Sequence, residues 1–123
     1  MPYGWRMAFG EQLCEELKKE LIKANALETY RILQIKEKHG KLCWYDDGNT
    51  EHGREIIHKY EELSARICIY CGGTATRATL GWVRPACDNC WPGLDSSLPI
   101  DEWFAMHQKR LEDFKKAGIN IRE

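Results

Sequence analysis

Four of the six cysteines in this chain stand in two Cys-x-x-Cys pairs, "CIYC" with Cys68 and Cys71 and "CDNC" with Cys87 and Cys90, with fifteen residues between the pairs. Thiolates at this spacing can both reach one ion, because the two residues between them form a tight knuckle, and two knuckles complete the tetrahedral shell that Zn²⁺ takes. The arrangement C-x2-C-x15-C-x2-C therefore points to metal chemistry. Its rivals are a disulfide framework and a pair of redox dithiols. Disulfides fit poorly with an opening, "MPYGWRMAFGEQL", that lacks a basic region followed by a long apolar stretch. Redox Cys-x-x-Cys motifs usually come singly on a βαβ framework. Four thiolates fill the shell and leave no position for water or substrate, so the expected cofactor is structural zinc, held by Cys68, Cys71, Cys87 and Cys90.

Catalytic constellations are hard to assemble around these residues. A zinc deaminase carries H-x-E followed by P-C-x-x-C, but here Ala86 separates Pro85 from Cys87 and no His is followed two residues later by Glu. A nuclease built on zinc knuckles would need a His beside them, and none occurs between His58 and His107. Cys14 falls on an apolar helical stripe and Cys43 within an expected strand, positions that suit small buried hydrophobes better than nucleophiles. Asp46, Asp47 and Glu51 cluster in a turn and read as solvated loop residues. The expectation is that the chain is not an enzyme.

The elements that must position the cysteines are legible in the hydrophobic pattern. Leu13, Cys14, Leu17, Leu21 and Ile22 recur at helical spacing from Glu11 to Ala24. The period then changes. Ile32, Leu33 and Ile35 crowd the segment Tyr30 to Lys36, and Leu42 to Tyr45 follow a turn at His39 and Gly40, which predicts a β-hairpin. Thr50 can cap a helix through about Ala65 with a buried stripe of Ile56, Ile57, Tyr60 and Leu63. Within the cysteine region, Thr74 to Ala86 is long enough for two short strands reversing near Gly81, with Trp82 and Val83 covering the metal from water. Gly72 and Gly73 allow the left-handed backbone that turns N–H groups toward sulfur. Trp91-Pro92-Gly93 discourages a helix launched from the second knuckle, so a zinc ribbon is expected in preference to a treble clef. "WPGLDSSLP" reads as a connector, and Ile100 to Ala117 as a last helix that Gly118 ends. The expected class is α+β: helix, hairpin, helix, four-cysteine ribbon, C-terminal helix. The segments 1–65, 66–93 and 94–123 are expected to pack as one domain, since 123 residues suit a single core.

Composition narrows the partners. No apolar run approaches the roughly 18 residues of a membrane span, and a cytoplasmic setting without membrane contact is expected. A net charge of -1 argues against a partner held by phosphate attraction alone. The run from Leu63 to Cys87 nevertheless lacks Asp and Glu and carries Arg66, Arg77 and Arg84, which with Tyr70 or Trp82 could form a stacking and phosphate-binding surface. Tyr3, Trp5, Trp91 and Trp103 lie near the ends or in expected loops, where a large apolar side chain needs a core slot or a partner. Another protein is the first expected partner and nucleic acid the second. Arg66, Tyr70, Arg77, Trp82, Arg84 and Trp91 are the candidate contact residues.

The segments "QIKEKHGKLCWYDDG" and "ELSARICIYCGGTATRATLGWVRPACDNC" resemble a group of small proteins encoded by phages and bacterial genomes. The resemblance lies in Gln34, Lys36, Glu37, Lys38, Gly40, Leu42, Trp44 and Tyr45, then Ser64, Cys68, Cys71, Gly72, Gly81, Trp82, Cys87 and Cys90. It implies a phage or mobile-element setting and a zinc-stabilised α+β fold, and it brings no reaction with it. Lys36-Glu37-Lys38 reads as the exposed end of a strand.

Overall fold

The computed structural model of the 123-residue chain describes residues 1–91 and 96–118. Trp5, Phe9, Leu13, Leu17 and Leu21 recur every fourth residue, and all five are buried. A straight α-helix advances such a series by about 40° per step, so over this length one face could not hold it. The chain resolves this with a short α-turn, α1 (Tyr3–Trp5), a wider π-helical turn (Arg6–Gly10) that sets the drift back, and then α2 (Glu11–Lys23). Helical structure thus begins well before Glu11, where the apolar periodicity places its start. Asn25, with φ of 57°, ends α2 in a Schellman arrangement: its N–H donates to the Ile22 carbonyl, and that of Ala26 to the Leu21 carbonyl.

The hairpin forms as expected. Strands β1 (Arg31–Lys38) and β2 (Lys41–Asp47) pair antiparallel, with an irregularity between Ile32 and Gln34. His39 (φ 55°) and Gly40 (φ 80°) make the two-residue turn, whose left-handed backbone matches the twist of the strands. Helix α3 (Glu51–Ser64) starts at Thr50, whose hydroxyl accepts from the Gly53 N–H at 2.9 Å. Two side chains of α3 complete the open edge of β2. Ser64 Oγ accepts from the Leu42 N–H at 2.8 Å, and Glu61 Oε2 from the Trp44 N–H at 2.9 Å. Leu42, Trp44, Ile57 and Tyr60 close the first core over the N-terminal helical stripe.

Beyond α3 the chain makes an isolated bridge, Ile67 to Thr74, and a three-stranded sheet in the order β4-β3-β5. Its strands are β3 (Arg77–Thr79), β4 (Pro85–Ala86) and β5 (Ser97–Pro99), all neighbours antiparallel. The reversal at Gly81 (φ 79°) is where the sequence puts it. Strand β5 lies in the expected connector. Pro92, Gly93, Leu94 and Asp95 of that connector lie outside the described residues. Helix α4 (Ile100–Lys116) follows, with Gly118 at φ 78° just beyond its end. Ala75, Ala78, Ile100 and Trp103 form a second, smaller core.

Several burial expectations need correcting. Ile22 (56% exposed) and Leu63 (43%) lie off the buried stripes, because the helix faces turn toward Leu21 and Ser64 instead. Cys14 is exposed, not a buried hydrophobe, since Leu13 and Leu17 take the core face. Trp82 is 73% exposed at the tip of the β3–β4 reversal and covers nothing. Trp5 and Trp103 fill core slots, whereas Tyr3 stays 56% exposed.

Candidate metal centre

Local hydrogen bonds build each knuckle. In the first, the Cys68 N–H donates to the Gly73 carbonyl at 2.7 Å and the Gly72 N–H to the Cys68 carbonyl at 3.0 Å. Gly72 has φ of 86°, and the Gly73 N–H then points at Cys71 Sγ, 3.4 Å away. The second is closed by N–H groups of Cys90 (3.2 Å) and Trp91 (2.9 Å) on the Cys87 carbonyl. Two bonds draw the knuckles together: the Ile69 N–H donates to the Pro85 carbonyl at 3.0 Å, and Thr76 Oγ1 to Asp88 Oδ1 at 2.6 Å.

The result is one cluster of four thiols, Cys68, Cys71, Cys87 and Cys90, whose sulfurs all lie within 4.8 Å of one another. Cys71 and Cys87 are 3.7 Å apart, and all six cysteines are free. Sulfurs at metal bonds of about 2.3 Å around a tetrahedral centre would be about 3.8 Å apart, so the spacing fits one ion shared by four ligands. Cys68 is fully buried, Cys87 and Cys90 are half-buried and Cys71 is exposed, which puts the cluster at the surface. No histidine or carboxylate joins it among the described residues.

The electrostatics of the thiols suit a cation. Burial pushes Cys87 up, but hydrogen bonds from the Cys90 backbone and from the neighbouring thiols outweigh it and hold Cys87 at about 7. Hydrogen bonding with Cys87 and Cys71 pushes Cys90 up to about 12. Cys87 is thus the favoured thiolate, and Cys90 resists ionising beside it. A divalent ion removes that conflict by binding the thiolates together.

The N-terminal segment supports the first knuckle from behind, a role that the sequence reading misses. The Gly4 N–H donates to the Ile69 carbonyl at 2.9 Å, and the Trp5 indole N–H to the Ile67 carbonyl at 3.0 Å. A Cβ on Gly4 would collide with the backbone of Cys68 and Ile69, and one on Gly72 would meet the Gly4 carbonyl oxygen at 2.6 Å. Backbone lies on backbone here. The available signal was the glycine in "YGW", but φ at Gly4 is helical and only the tertiary contact demands it.

The candidate contact residues do not assemble into one free surface. Arg66 lies 3.1 Å from Asp101 and 4.4 Å over the Phe104 ring. Arg77 donates to Ser97 Oγ at 2.7 Å and sits 5.1 Å over Trp91, which is half-buried. Arg84 is 5.9 Å over Tyr70. Trp82 alone projects fully. Asp46, expected to be a solvated loop residue, instead belongs to a network in which Trp44 Nε1 donates to Tyr30 Oη (2.8 Å), and Tyr30 Oη (2.7 Å) and Asn49 Nδ2 (2.9 Å) both donate to Asp46.

No protein-family model, curated protein or solved structure gives a significant match to this chain. Of the resemblance drawn from the sequence, the four-cysteine module is the part the structure bears out. No helix among the described residues is long and apolar enough to cross a membrane.

Proposed function

We propose that this chain is a non-enzymatic recognition protein whose ribbon is built around structural zinc. The four-thiol cluster carries the reading. An all-thiolate tetrahedral set selects zinc among abundant divalent ions, since magnesium and calcium prefer oxygen donors. Bound there, zinc cross-links the two knuckles, a contribution of roughly 10–16 kcal/mol of apparent binding energy in zinc-finger peptides. Four protein ligands complete its shell, so the ion shapes a surface and activates no water. A cytoplasmic setting, where thiols stay reduced, suits such a site. The resemblance to phage- and bacterially encoded proteins adds a phage or mobile-element origin, and by analogy with phage proteins of this size the partner is a host or defence protein.

Nucleic-acid binding is the second reading, favoured by the exposure of Trp82 at 73% and by the acid-free run around it. It is weakened by Arg66, Arg77 and Arg84, each of which has an acid, hydroxyl or ring neighbour in its own chain. A tagged pull-down from bacterial lysate, with and without nuclease, separates the two. A protein retained after nuclease treatment supports the proposal. Loss of everything bound on nuclease treatment moves the function to nucleic acid, and an empty bait in both arms overturns recognition.

A further inference from the structure

Helix α4 buries only Ile100 and Trp103, both in its first turn. From Trp103 to Phe114 its apolar side chains continue along one wall of an open trough of about 500 Å³, whose opposite wall is the β1–β2 turn and Val83. Those residues span roughly 16 Å of helix, which is the length of a docked chain segment and longer than an enclosed small-molecule pocket requires. Leu111 and the 41% exposed Phe114 line its outer end. The rim is basic: among the described residues that line it, Lys38, Lys41 and Arg110 stand with one carboxylate, Glu62, which lies 2.6 Å from Lys41 Nζ. Lys38 and Arg110 have no carboxylate partner among the described residues.

We infer that this trough receives an acidic amphipathic helix of another protein, its apolar anchors on Leu111 and Phe114 and its carboxylates at Lys38 and Arg110. The inference rests on the recognition reading and gives it a surface. An apolar floor demands apolar side chains at i, i+3 and i+7, as in other helix-in-groove complexes. A basic rim then selects acidic flanks, because a basic helix would set like charges together as the floor excludes water. Phosphate attraction is the poorer match, since a nucleic acid would leave the aliphatic part of the floor exposed.

The test uses the full, metal-loaded chain and fluorescence anisotropy with two labelled synthetic helical peptides. Both carry Leu and Phe at i, i+3 and i+7; one has Glu flanks and the other Lys flanks. The Glu-flanked peptide is expected to saturate in the micromolar range and to bind at least about tenfold more tightly than the Lys-flanked one. Arg110→Glu and Lys38→Glu, both surface changes checked for fold by circular dichroism, should reverse that preference. Phe114→Ala should weaken both peptides. Absence of saturation, equal affinity for the two peptides, indifference to Arg110→Glu, or displacement of the Glu-flanked peptide by a single-stranded oligonucleotide each overturns the inference. A protein caught in the pull-down that binds the Arg110→Glu, Phe114→Ala double variant undiminished would also sink the trough while leaving recognition standing.

Discussion

Ser64 shows how much one polar side chain can hold. Its hydroxyl donates to the Glu61 carbonyl at 2.5 Å and accepts from the Leu42 N–H at 2.8 Å, fully buried between α3 and β2. Ser64→Ala leaves a buried N–H without a partner, a loss of about 1–3 kcal/mol. Urea unfolding should show it as a lower midpoint with unchanged slope. Tyr30 gives a pH dependence. Burial, then its contact with the Asp46 carboxylate, pushes its hydroxyl up from the ordinary phenol value. A group whose folded pKa is raised stabilises the fold fully below its unfolded pKa and loses that contribution as pH rises above it. Thermal stability should therefore fall above pH of about 10. Tyr30→Phe should flatten that fall while lowering stability at neutral pH, because Trp44 Nε1 loses its acceptor. The cysteines were legible at this scale because knuckle spacing is local. Gly4 and Ser64 were not assigned these roles because what fixes them is contact with distant backbone.

Among the elements, those whose signals are short-range were readable. Thr50 marks a helix start through its own hydroxyl, and His39-Gly40 a hairpin through the left-handed backbone that Gly adopts freely. Gly40 is doubly constrained, since a Cβ there would also press Val83 Cγ1 at 2.9 Å, where the hairpin turn meets the ribbon. Gly40→Ala should thus cost more than the ~1 kcal/mol of a left-handed alanine alone. Val83→Ala in the same background should return part of the loss in a double-mutant cycle. The π-helical turn at Arg6–Gly10 and strand β5 were not readable. The first is imposed by keeping Trp5 and Phe9 over the same core as Leu13, and the second by pairing with β3 across the connector. Neither leaves a local signature in "RMAFG" or "SLP".

Across the molecule, the first core and the metal cluster differ in what sustains them. The N-terminal helical stripe, hairpin and α3 bury large aromatic and aliphatic side chains together, whereas the second core offers Ala75, Ala78, Ile100 and Trp103. With Val83, Leu98, Phe104 and Met106 packed against it the second core is still small, and on the proposed reading the bound metal supplies the further support, since regions with little apolar burial depend on metal or disulfide. Chelation should therefore loosen the surroundings of Trp103 and the knuckles while leaving most of the helical circular dichroism, which α2 and α3 supply. Acidification should release the metal in the same way, because protons compete for thiolates and Cys90 holds its proton to about 12 when no cation is bound. The α+β layout and the four ligands could be read from one sequence because each rests on periodicity or spacing. The trough beside α4 could not, because it exists only once the hairpin turn and the last helix face each other. The most direct test of the central claim is the metal content of natively purified, reduced protein, measured by elemental analysis alongside Cys68→Ser and Cys90→Ser. One zinc per wild-type chain in an all-sulfur shell by X-ray absorption, lost or weakened in both variants, is the expected result. A metal-free wild-type chain that is nonetheless fully folded, or an ion carrying an exchangeable water, would contradict it.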